Sequence, residues 1–218
     1  MKRLILSIIF VLCLTLPAFS VDFMPKYNDS IKNYGIGLYF GEGEVTVYEE
    51  PNDKSPVIAD IHWDAEHVII NDSSYDPRYV FGVFLPKKAL AGFIAIDEDG
   101  DYTQIIYDNS RGLSGWIKNA PDTKAYNWRQ LFYKYGKTKG IYLFANTPKD
   151  SKILKVSPDE DADTSGTFVY QKFIRLQIIK GNWALVRVVD YDNEEKIGWI
   201  RWRNPDGTLN MYPNFRGN

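Results

Sequence analysis

The sequence predicts a mainly β protein made of two small domains in tandem, and three observations support this. The tripeptide Gly-Trp-Ile occurs at 115–117 and again at 198–200. Each copy follows a glycine-led run, at 100–105 and at 181–186. Short runs of β-branched and aromatic residues, separated by turn residues, fill much of the remaining chain. Because an internal repeat indicates a fold built from copies, we expect two similar β domains.

A third match lies upstream of these strands. The run at 48–58 resembles the run at 144–154, since both contain a proline, then a serine, then two apolar residues at the end. Three matches in the same order predict an internal duplication that covers most of the chain.

The first 20 residues have the features of a secretory signal peptide. Two basic residues precede an apolar run at 4–16, and a small-x-small cleavage site ends at Ser20. The run is shorter than the roughly 18 residues that indicate a membrane span. Two alternatives remain, an uncleaved anchor and a lipid anchor at Cys13, although Leu12 is larger than a lipoprotein signal requires before its cysteine. We expect an exported protein, periplasmic or extracellular.

The charge balance disfavours polyanionic partners. The chain has 26 basic and 28 acidic residues, and removal of Lys2 and Arg3 with the signal peptide leaves 24 against 28, a net charge of −4. An acidic protein is a poor candidate for phosphate backbones or anionic lipid surfaces. We expect no nucleic-acid partner and no stable membrane insertion after cleavage.

Turn signals divide the first unit into short strands. Its candidate strands are 45–48, 57–61, 67–70, 79–84, 93–96, 102–107 and 115–117. Residues that favour turns, such as Asp99-Gly100, lie between them.

The segment after the first unit has a helical pattern. Four large apolar side chains share one helical face at i, i+3, i+4 and i+7: Trp128, Leu131, Phe132 and Tyr135. Gly136 ends this pattern. We therefore expect a short linker helix that packs against one or both β domains.

The second unit repeats the β pattern. Its candidate strands are 141–144, 153–156, 167–170, 173–179, 183–189, 198–202 and 208–212. The predicted division of the chain is a signal peptide at 1–20, an N-terminal arm at 21–36, a first domain with an insertion at 37–120, a linker helix at 121–138 and a second domain at 139–218.

The repeat resembles the bacterial SH3-like domain, often called SH3b. The second copy matches best, with Gly-Asn-Trp-Ala-Leu-Val-Arg-Val at 181–188 and Ile-Gly-Trp-Ile at 197–200. The first copy has Tyr102 where the family has tryptophan, and it carries extra residues between Val57 and Phe93. The resemblance implies two small SH3-like β-barrels joined by a short helical linker. It also implies export to the cell envelope and binding of cell-wall material or of a protein beside it.

Alternation along the repeat strands assigns the side chains to two faces. Three small residues of the second copy point inward: Ala184, Val186 and Val188. Their neighbours Trp183, Leu185 and Arg187 point outward. By the same parity Ile105 and Ile200 point inward, whereas Tyr102, Gln104, Trp199 and Arg201 point outward.

Five aromatic residues are the candidate ligand-binding set: Trp183, Trp199, Tyr170, Tyr102 and Trp116. We expect the second unit to bind more strongly, around Trp183. The alternative is that these rings cover the edge of each barrel core. The element Pro-x-x-Tyr that eukaryotic SH3 domains place after the equivalent glycine is absent after Gly198, which argues against polyproline ligands.

The sequence offers no catalytic or metal-binding motif. The only cysteine lies in the signal peptide, and His62 and His67 are five positions apart, a spacing that suits neither a helical metal pair nor one strand face. The acidic runs at 97–101 and 159–163 have aspartate spacing like calcium loops but lack the glycine at position six. We expect no enzyme activity, no cofactor and no metal, and weak calcium binding by the acidic runs is the alternative. The predicted function is recognition of a cell-envelope partner, and the alternative is a structural adaptor without a ligand groove.

Overall fold

The computed structural model describes residues 22–121, 123 and 125–217. Strands make up 46% and helices 10% of it, which confirms the mainly β class. The predicted signal peptide at 1–20 lies outside the described residues. Within the described part of the chain, no helix has the length and apolar character needed to cross a membrane.

The first sheet follows the arm and contains ten strands among the described residues. In chain order they are β1 (Gly37–Phe40), β2 (Glu44–Tyr48), β3 (Val57–Trp63), β4 (Val68–Ile70), β5 (Ser73–Tyr75), β6 (Val83–Leu85), β7 (Leu90–Asp99), β8 (Tyr102–Asp108), β9 (Leu113–Lys118) and β10 (Ala125–Asn127). Their order in the sheet is β10-β1-β7-β8-β9-β2-β3-β4-β5, and β6 also pairs with β7.

The second sheet contains seven strands in the described region. They are β11 (Ile141–Leu143), β12 (Ile153–Lys155), β13 (Thr164–Thr167), β14 (Phe173–Lys180), β15 (Trp183–Val189), β16 (Glu195–Arg201) and β17 (Met211–Pro213). Their order is β13-β12-β16-β15-β14-β11-β17. All pairings in both sheets are antiparallel.

The two sheets share one strand order once β4, β5 and β6 are set aside. The path β10-β1-β7-β8-β9-β2-β3 of the first sheet corresponds to β17-β11-β14-β15-β16-β12-β13 of the second. Bulges also correspond, because the register shifts at Val47/Tyr48 and at Leu154/Lys155, each just before the residue that pairs with the repeat tryptophan. This common order is what an internal duplication would produce. Among the described residues the pairings form an open path in each sheet and do not close it into a barrel.

The third sequence match aligns strands that are not equivalent. Val57 lies in β3, whereas Ile153 lies in β12, which occupies the position of β2. Tyr48 and Lys155 are the equivalent residues, since each pairs with the tryptophan of its own Gly-Trp-Ile copy. The resemblance between the two runs therefore reflects similar turns at different places in the sheet.

Helices are few and short. They are α1 (Pro77–Val80), α2 (Trp128–Leu131), a π-helical turn at Phe132–Gly136 and 3₁₀-helical turns at Pro86–Lys88 and Lys149–Lys152.

The strand predicted at 79–84 is wrong in its first half, because α1 begins at Pro77. The carboxylate of Asp76 accepts a hydrogen bond from the Arg78 amide, and proline is preorganised for the first helical position. This start signal outweighs the β-branched and aromatic residues that follow it.

The predicted linker helix at 121–138 is shorter than expected. Residues 125–127 form β10, which pairs with β1, and the helical part begins at Trp128. A capping box between Asn127 and Gln130 starts α2 at that point. Trp128, Leu131 and Phe132 are buried, so the predicted apolar face is confirmed.

Two clusters of buried side chains form the core. One lies inside the first unit and includes Val47, Phe93 and Ile105. The other joins both units. It combines residues on the opposite face of the first sheet with α2 and the inner face of the second sheet: Leu38, Ile94, Ile106, Trp128, Val186, Ile200, Tyr212 and Phe215. The predicted inward residues Ala184, Val186, Val188, Ile105 and Ile200 are all at most 1% exposed, which confirms their inward direction.

Polar contacts reinforce the packing between the units. The Tyr212 hydroxyl donates a 2.9 Å hydrogen bond to the Gly82 carbonyl oxygen, and Arg203 donates a 3.2 Å hydrogen bond to the Gly35 carbonyl oxygen. The N-terminal arm packs there as well, since Tyr34 is 2% exposed and its carbonyl oxygen accepts a 2.8 Å hydrogen bond from the Trp128 indole.

Candidate functional site

The candidate site begins with a cross-strand pair in the second sheet. A glycine at φ 56°, Gly181, turns the β14–β15 hairpin and makes Trp183 the first residue of β15. The register places Trp183 opposite Arg201 at the end of β16. The guanidinium carbon of Arg201 lies 4.8 Å from the Trp183 ring centroid, within cation–π distance. Trp183 is half-buried and presents the rest of its ring to solvent.

An acid completes the arrangement. Glu160 forms an ion pair with Arg201, and it lies in the loop between β12 and β13. Lys155 holds this loop with a 2.8 Å hydrogen bond to the Ala162 carbonyl oxygen. The acidic run at 159–163 therefore positions one carboxylate beside the aromatic–cation pair.

A groove of about 520 Å³ opens at this pair. It is lined by Asp150, Ser151, Ile153, Lys155, Glu160, Trp183, Arg201, Asn204, Pro205 and Asn210. Two carboxylates and two cations balance each other, and the hydroxyl and amide groups supply both donors and acceptors. An aromatic face beside such groups suits a ligand that has apolar and polar sides.

Hydrogen bonds hold the far wall of the groove. Asn204 and Asn210 form a reciprocal pair of amide hydrogen bonds at 3.1 and 2.8 Å. Arg203 also donates to the Gly207 carbonyl oxygen at 3.3 Å and to the first unit at Gly35. The groove therefore presents fixed polar groups to a ligand, and its wall is anchored on the other unit.

The first copy also contains an aromatic residue, a cation and an acid. We call this arrangement closed, because the acid bonds both other side chains and the ring is covered. Gly100, also at φ 56°, makes Tyr102 the first residue of β8, and the register places Tyr102 opposite Lys118. Asp53, in the loop between β2 and β3, accepts hydrogen bonds from the Tyr102 hydroxyl and from the Lys118 ammonium, the latter at 2.6 and 2.9 Å. Tyr102 is only 8% exposed, so its predicted outward ring is covered.

The closed arrangement changes the acidity of its members. Hydrogen bonds from Lys118 and Tyr102 hold the pKa of the Asp53 carboxyl below its usual range. The bond to Asp53 in turn raises the pKa of the Tyr102 phenol. Asp53 is thus held ionised between its two donors.

Sequence reasoning found both aromatic members but missed their partners. A signal for the cations was present, because Lys118 and Arg201 each follow a Gly-Trp-Ile copy directly. The acids Asp53 and Glu160 carried a weaker signal, since both lie two residues after a proline in loops of equal length, but the third sequence match aligned other residues with these loops.

The other predicted site residues lie outside the groove. Trp199 lies opposite Leu185, two positions along β16 from Arg201, and Trp116 occupies the equivalent place in β9; both are half-buried. Tyr170 is 75% exposed and lines a separate depression with Tyr191. Of the expected cluster around Trp183, the structure brings neither Trp199 nor Tyr170 into the groove.

The histidines form isolated exposed pairs with acids. His62 Nδ1 lies 3.3 Å from Glu44, and His67 Nδ1 lies 3.5 Å from Asp64. In the described ranges, no group of three or more histidine, cysteine, aspartate or glutamate side chains is arranged to hold a metal ion.

No protein-family model matches this sequence, and a search of curated proteins returns no significant match. The functional argument for this chain therefore depends on its own residues and geometry.

Proposed function

We propose that this chain is an exported, non-enzymatic binding protein with two SH3-like modules in tandem, and that it recognises a cell-envelope partner. The groove beside Trp183 is its principal site. The partner is peptidoglycan or a protein of the envelope.

The observation that carries this proposal is the difference between the two copies. At Tyr102 the ring is covered, and the neighbouring groove of about 420 Å³ reaches Lys118 but not the ring, whereas Trp183 itself lines a groove of about 520 Å³. Tryptophan at a binding surface supplies apolar contact area, and its loss from a hot spot costs about 2 kcal/mol or more. This supports the second unit as the better binder.

The common strand order of the two sheets supports the tandem arrangement, because it is what duplication of an SH3-like module would leave. The signal-peptide features at 1–20 support export. Fixed amide, carboxylate and ammonium groups beside an indole ring support a ligand such as the glycan and peptide of the cell wall.

A structural adaptor is the second candidate function, and the shared core favours it. Leu38, Ile94, Trp128 and Tyr212 join the two units in one cluster, so the units present a single body to a partner. In this case the Trp183 groove binds no small ligand and the protein acts through larger surfaces.

A binding experiment separates the two. Purified peptidoglycan is sedimented with the mature protein, and soluble wall fragments are titrated into it by calorimetry. We expect the wild type to bind and Trp183→Ala to bind at least tenfold more weakly, since the variant removes the ring that lines the groove. Thermal unfolding of both proteins checks that the fold is unchanged.

Tyr191→Ala is the matched control, because Tyr191 is an aromatic residue that is 70% exposed and lies outside the groove. It should bind like the wild type. Equal binding by wild type and Trp183→Ala would remove the groove from the proposal. Absence of binding by the wild type would favour the adaptor.

A further inference from the structure

The outer face of the second sheet carries an apolar row that the described chain leaves partly exposed. The register places Ile178 opposite Leu185 and Leu185 opposite Trp199. These three residues share the face that points away from Val186 and the core. Ile178 is 48% exposed, and the other two are half-buried. We call this set the apolar row.

Basic side chains border the apolar row on both sides. Lys180 and Arg201 lie on one side, where each is paired with Trp183. Arg175 and Arg187 lie on the other side and face each other directly. Lys180, Arg187 and Arg201 each lie two residues along their strands from the apolar row, about 7 Å away, and Arg175 lies three residues away because of the bulge between Leu176 and Ile178.

The stability of the fold does not explain why these four basic side chains lie on one face. Like charges that lie directly opposite in neighbouring strands destabilise a sheet, so the Arg175–Arg187 pair has a cost. Arg187 and Arg201 are paired with Glu195 and Glu160, whereas Arg175 and Lys180 are exposed and form no ion pair with a described residue. The Nε of Arg187 is buried without an acceptor among the described residues. A basic face on a chain of formal charge −2 points to an acidic ligand.

The equivalent face of the first sheet is buried where the second sheet carries its two arginines. Ile94 and Ile106 occupy the positions of Arg175 and Arg187, and they are 0% and 5% exposed within the shared core. The chain therefore covers this face in the first copy with its own residues. In the second copy the same face is uncovered and its isoleucines are replaced by arginines.

The dimensions of the face fit an α-helix. The apolar row spans three strands, about 10 Å, which matches the distance between residues i and i+7 of a helix. The basic borders are about 14 Å apart, slightly more than the width of a helix with its side chains. Tryptophan and arginine are the side chains that most often dominate protein–protein binding energy.

We propose that the outer face of the second sheet docks an amphipathic helix of a partner protein, with its apolar stripe on Ile178, Leu185 and Trp199 and its acidic flanks on the basic borders. This surface adjoins the Trp183 groove at Arg201, which borders both, and the proposal does not depend on wall binding.

The test uses the full mature protein and a labelled synthetic peptide of about five turns. Its leucines lie at i, i+3, i+4 and i+7, and glutamates flank them. We expect fluorescence anisotropy to show binding that weakens as salt is raised. The double variant Arg175→Glu/Lys180→Glu should bind at least tenfold more weakly, and so should Ile178→Asp. Lys87→Glu, an exposed charge reversal on the first unit, should bind like the wild type.

Four further probes test the specificity of the surface. A peptide of the same composition with its leucines distributed around the helix should bind at least tenfold more weakly, and a peptide with lysine flanks should not bind. Equal binding of the shuffled peptide, of poly-L-glutamate or of anionic phospholipid vesicles would overturn the proposal, because it would indicate a general anion surface. Failure of the wild type to bind the acidic amphipathic peptide would overturn it as well.

Discussion

The Tyr102 hydroxyl donates a hydrogen bond to Asp53, while at the equivalent position the ring of Trp183 packs under the guanidinium of Arg201. A hydroxyl at the end of the ring lets the first copy close on its acid. The larger indole leaves its acid, Glu160, to pair with the arginine alone. The aromatic residue, the cation and the acid all differ between the copies, and the phenol hydroxyl is the group that bonds the acid in the closed one.

Asp108 is the most buried carboxylate of the described chain, at 2% exposure. It accepts hydrogen bonds from the Ser110 hydroxyl at 2.6 Å and from the Arg111 guanidinium at 2.7 Å. Burial raises the pKa of Asp108, but the hydrogen bonds from Ser110 and Arg111 outweigh it and leave the pKa below its usual range.

We expect Asp108→Asn to lower the free energy of unfolding by about 1–3 kcal/mol at pH 7, because a charged acceptor with several donors is lost. A carboxyl whose folded pKa is depressed stabilises the fold above its unfolded pKa and loses this contribution as the pH falls through its folded pKa. The difference between wild type and variant should therefore shrink below about pH 4. Urea unfolding at a series of pH values measures it.

Asp101→Asn serves as the control, since Asp101 is exposed. It should differ little from the wild type at any pH. A difference between wild type and Asp108→Asn that stays constant down to pH 3 would contradict the charge-based explanation.

At the scale of the strand, the glycine of each Gly-Trp-Ile copy allows two strands to approach closely. A Cβ added at Gly198 would lie 2.6 Å from the Leu154 Cβ and 2.7 Å from the Ser165 Oγ. A Cβ at Gly115 would lie 2.5 Å from Val47, the residue equivalent to Leu154. The repeated tripeptide thus has a packing role besides the tryptophan that it carries.

We expect Gly198→Ala to destabilise the protein by about 1–3 kcal/mol, because the added methyl group overpacks the contact between β12 and β16. Gly166 lies nearby in β13, and a Cβ there would meet nothing within 4 Å. Gly166→Ala should leave the free energy of unfolding unchanged or raise it by up to about 1 kcal/mol. Equal effects of the two substitutions in chemical denaturation would contradict this account.

Sequence patterns predicted the helices and strands that are determined by residues close together in the chain. The two-residue period of β15 predicted that Ala184 and Val186 are buried, because alternation fixes the face of each residue. The four-residue helix α1 was missed since its start at Asp76 interrupts a run that resembles a strand. Strand β10 was missed because it has only three residues and exists through its pairing with β1, far away in the chain.

The same reasoning explains which part of the site was predictable. Trp183 stands in a motif, so its place at the start of a strand could be foreseen. Glu160 reaches Arg201 across 41 positions of the chain, and no local pattern carries that contact. Closure of the first site at Asp53 likewise depends on a loop conformation that the composition does not determine.

At the scale of the whole molecule, the helical segment after β10 belongs with the second unit. Its rings pack on that unit, with centroid distances of 5.2 Å for Phe132–Trp202 and 4.5 Å for Tyr135–Phe215. The Tyr133 hydroxyl accepts a 3.1 Å hydrogen bond from the Ile179 amide. The segment therefore covers buried side chains of the second unit.

We expect a fragment of residues 125–218 to unfold cooperatively and a fragment of residues 139–218 to be much less stable. The shorter fragment uncovers Tyr212 and Phe215, and loss of large aromatic packing costs about 3–5 kcal/mol per ring. Urea denaturation followed by circular dichroism compares the two. A cooperative transition of equal midpoint in both fragments would place the boundary of the second domain at 139.

The second sheet has Arg175 and Arg187 where the first sheet has Ile94 and Ile106. This difference also affects how the chain folds. Two copies with one strand order can exchange equivalent strands during folding, a common failure of repeated domains. If β14 and β15 took the places of β7 and β8, both guanidinium groups would enter the shared core. Burying them unpaired costs several kcal/mol each. The two arginines on the exposed face of the second sheet therefore also destabilise the misassembled chain. This favours the correct strand pairing.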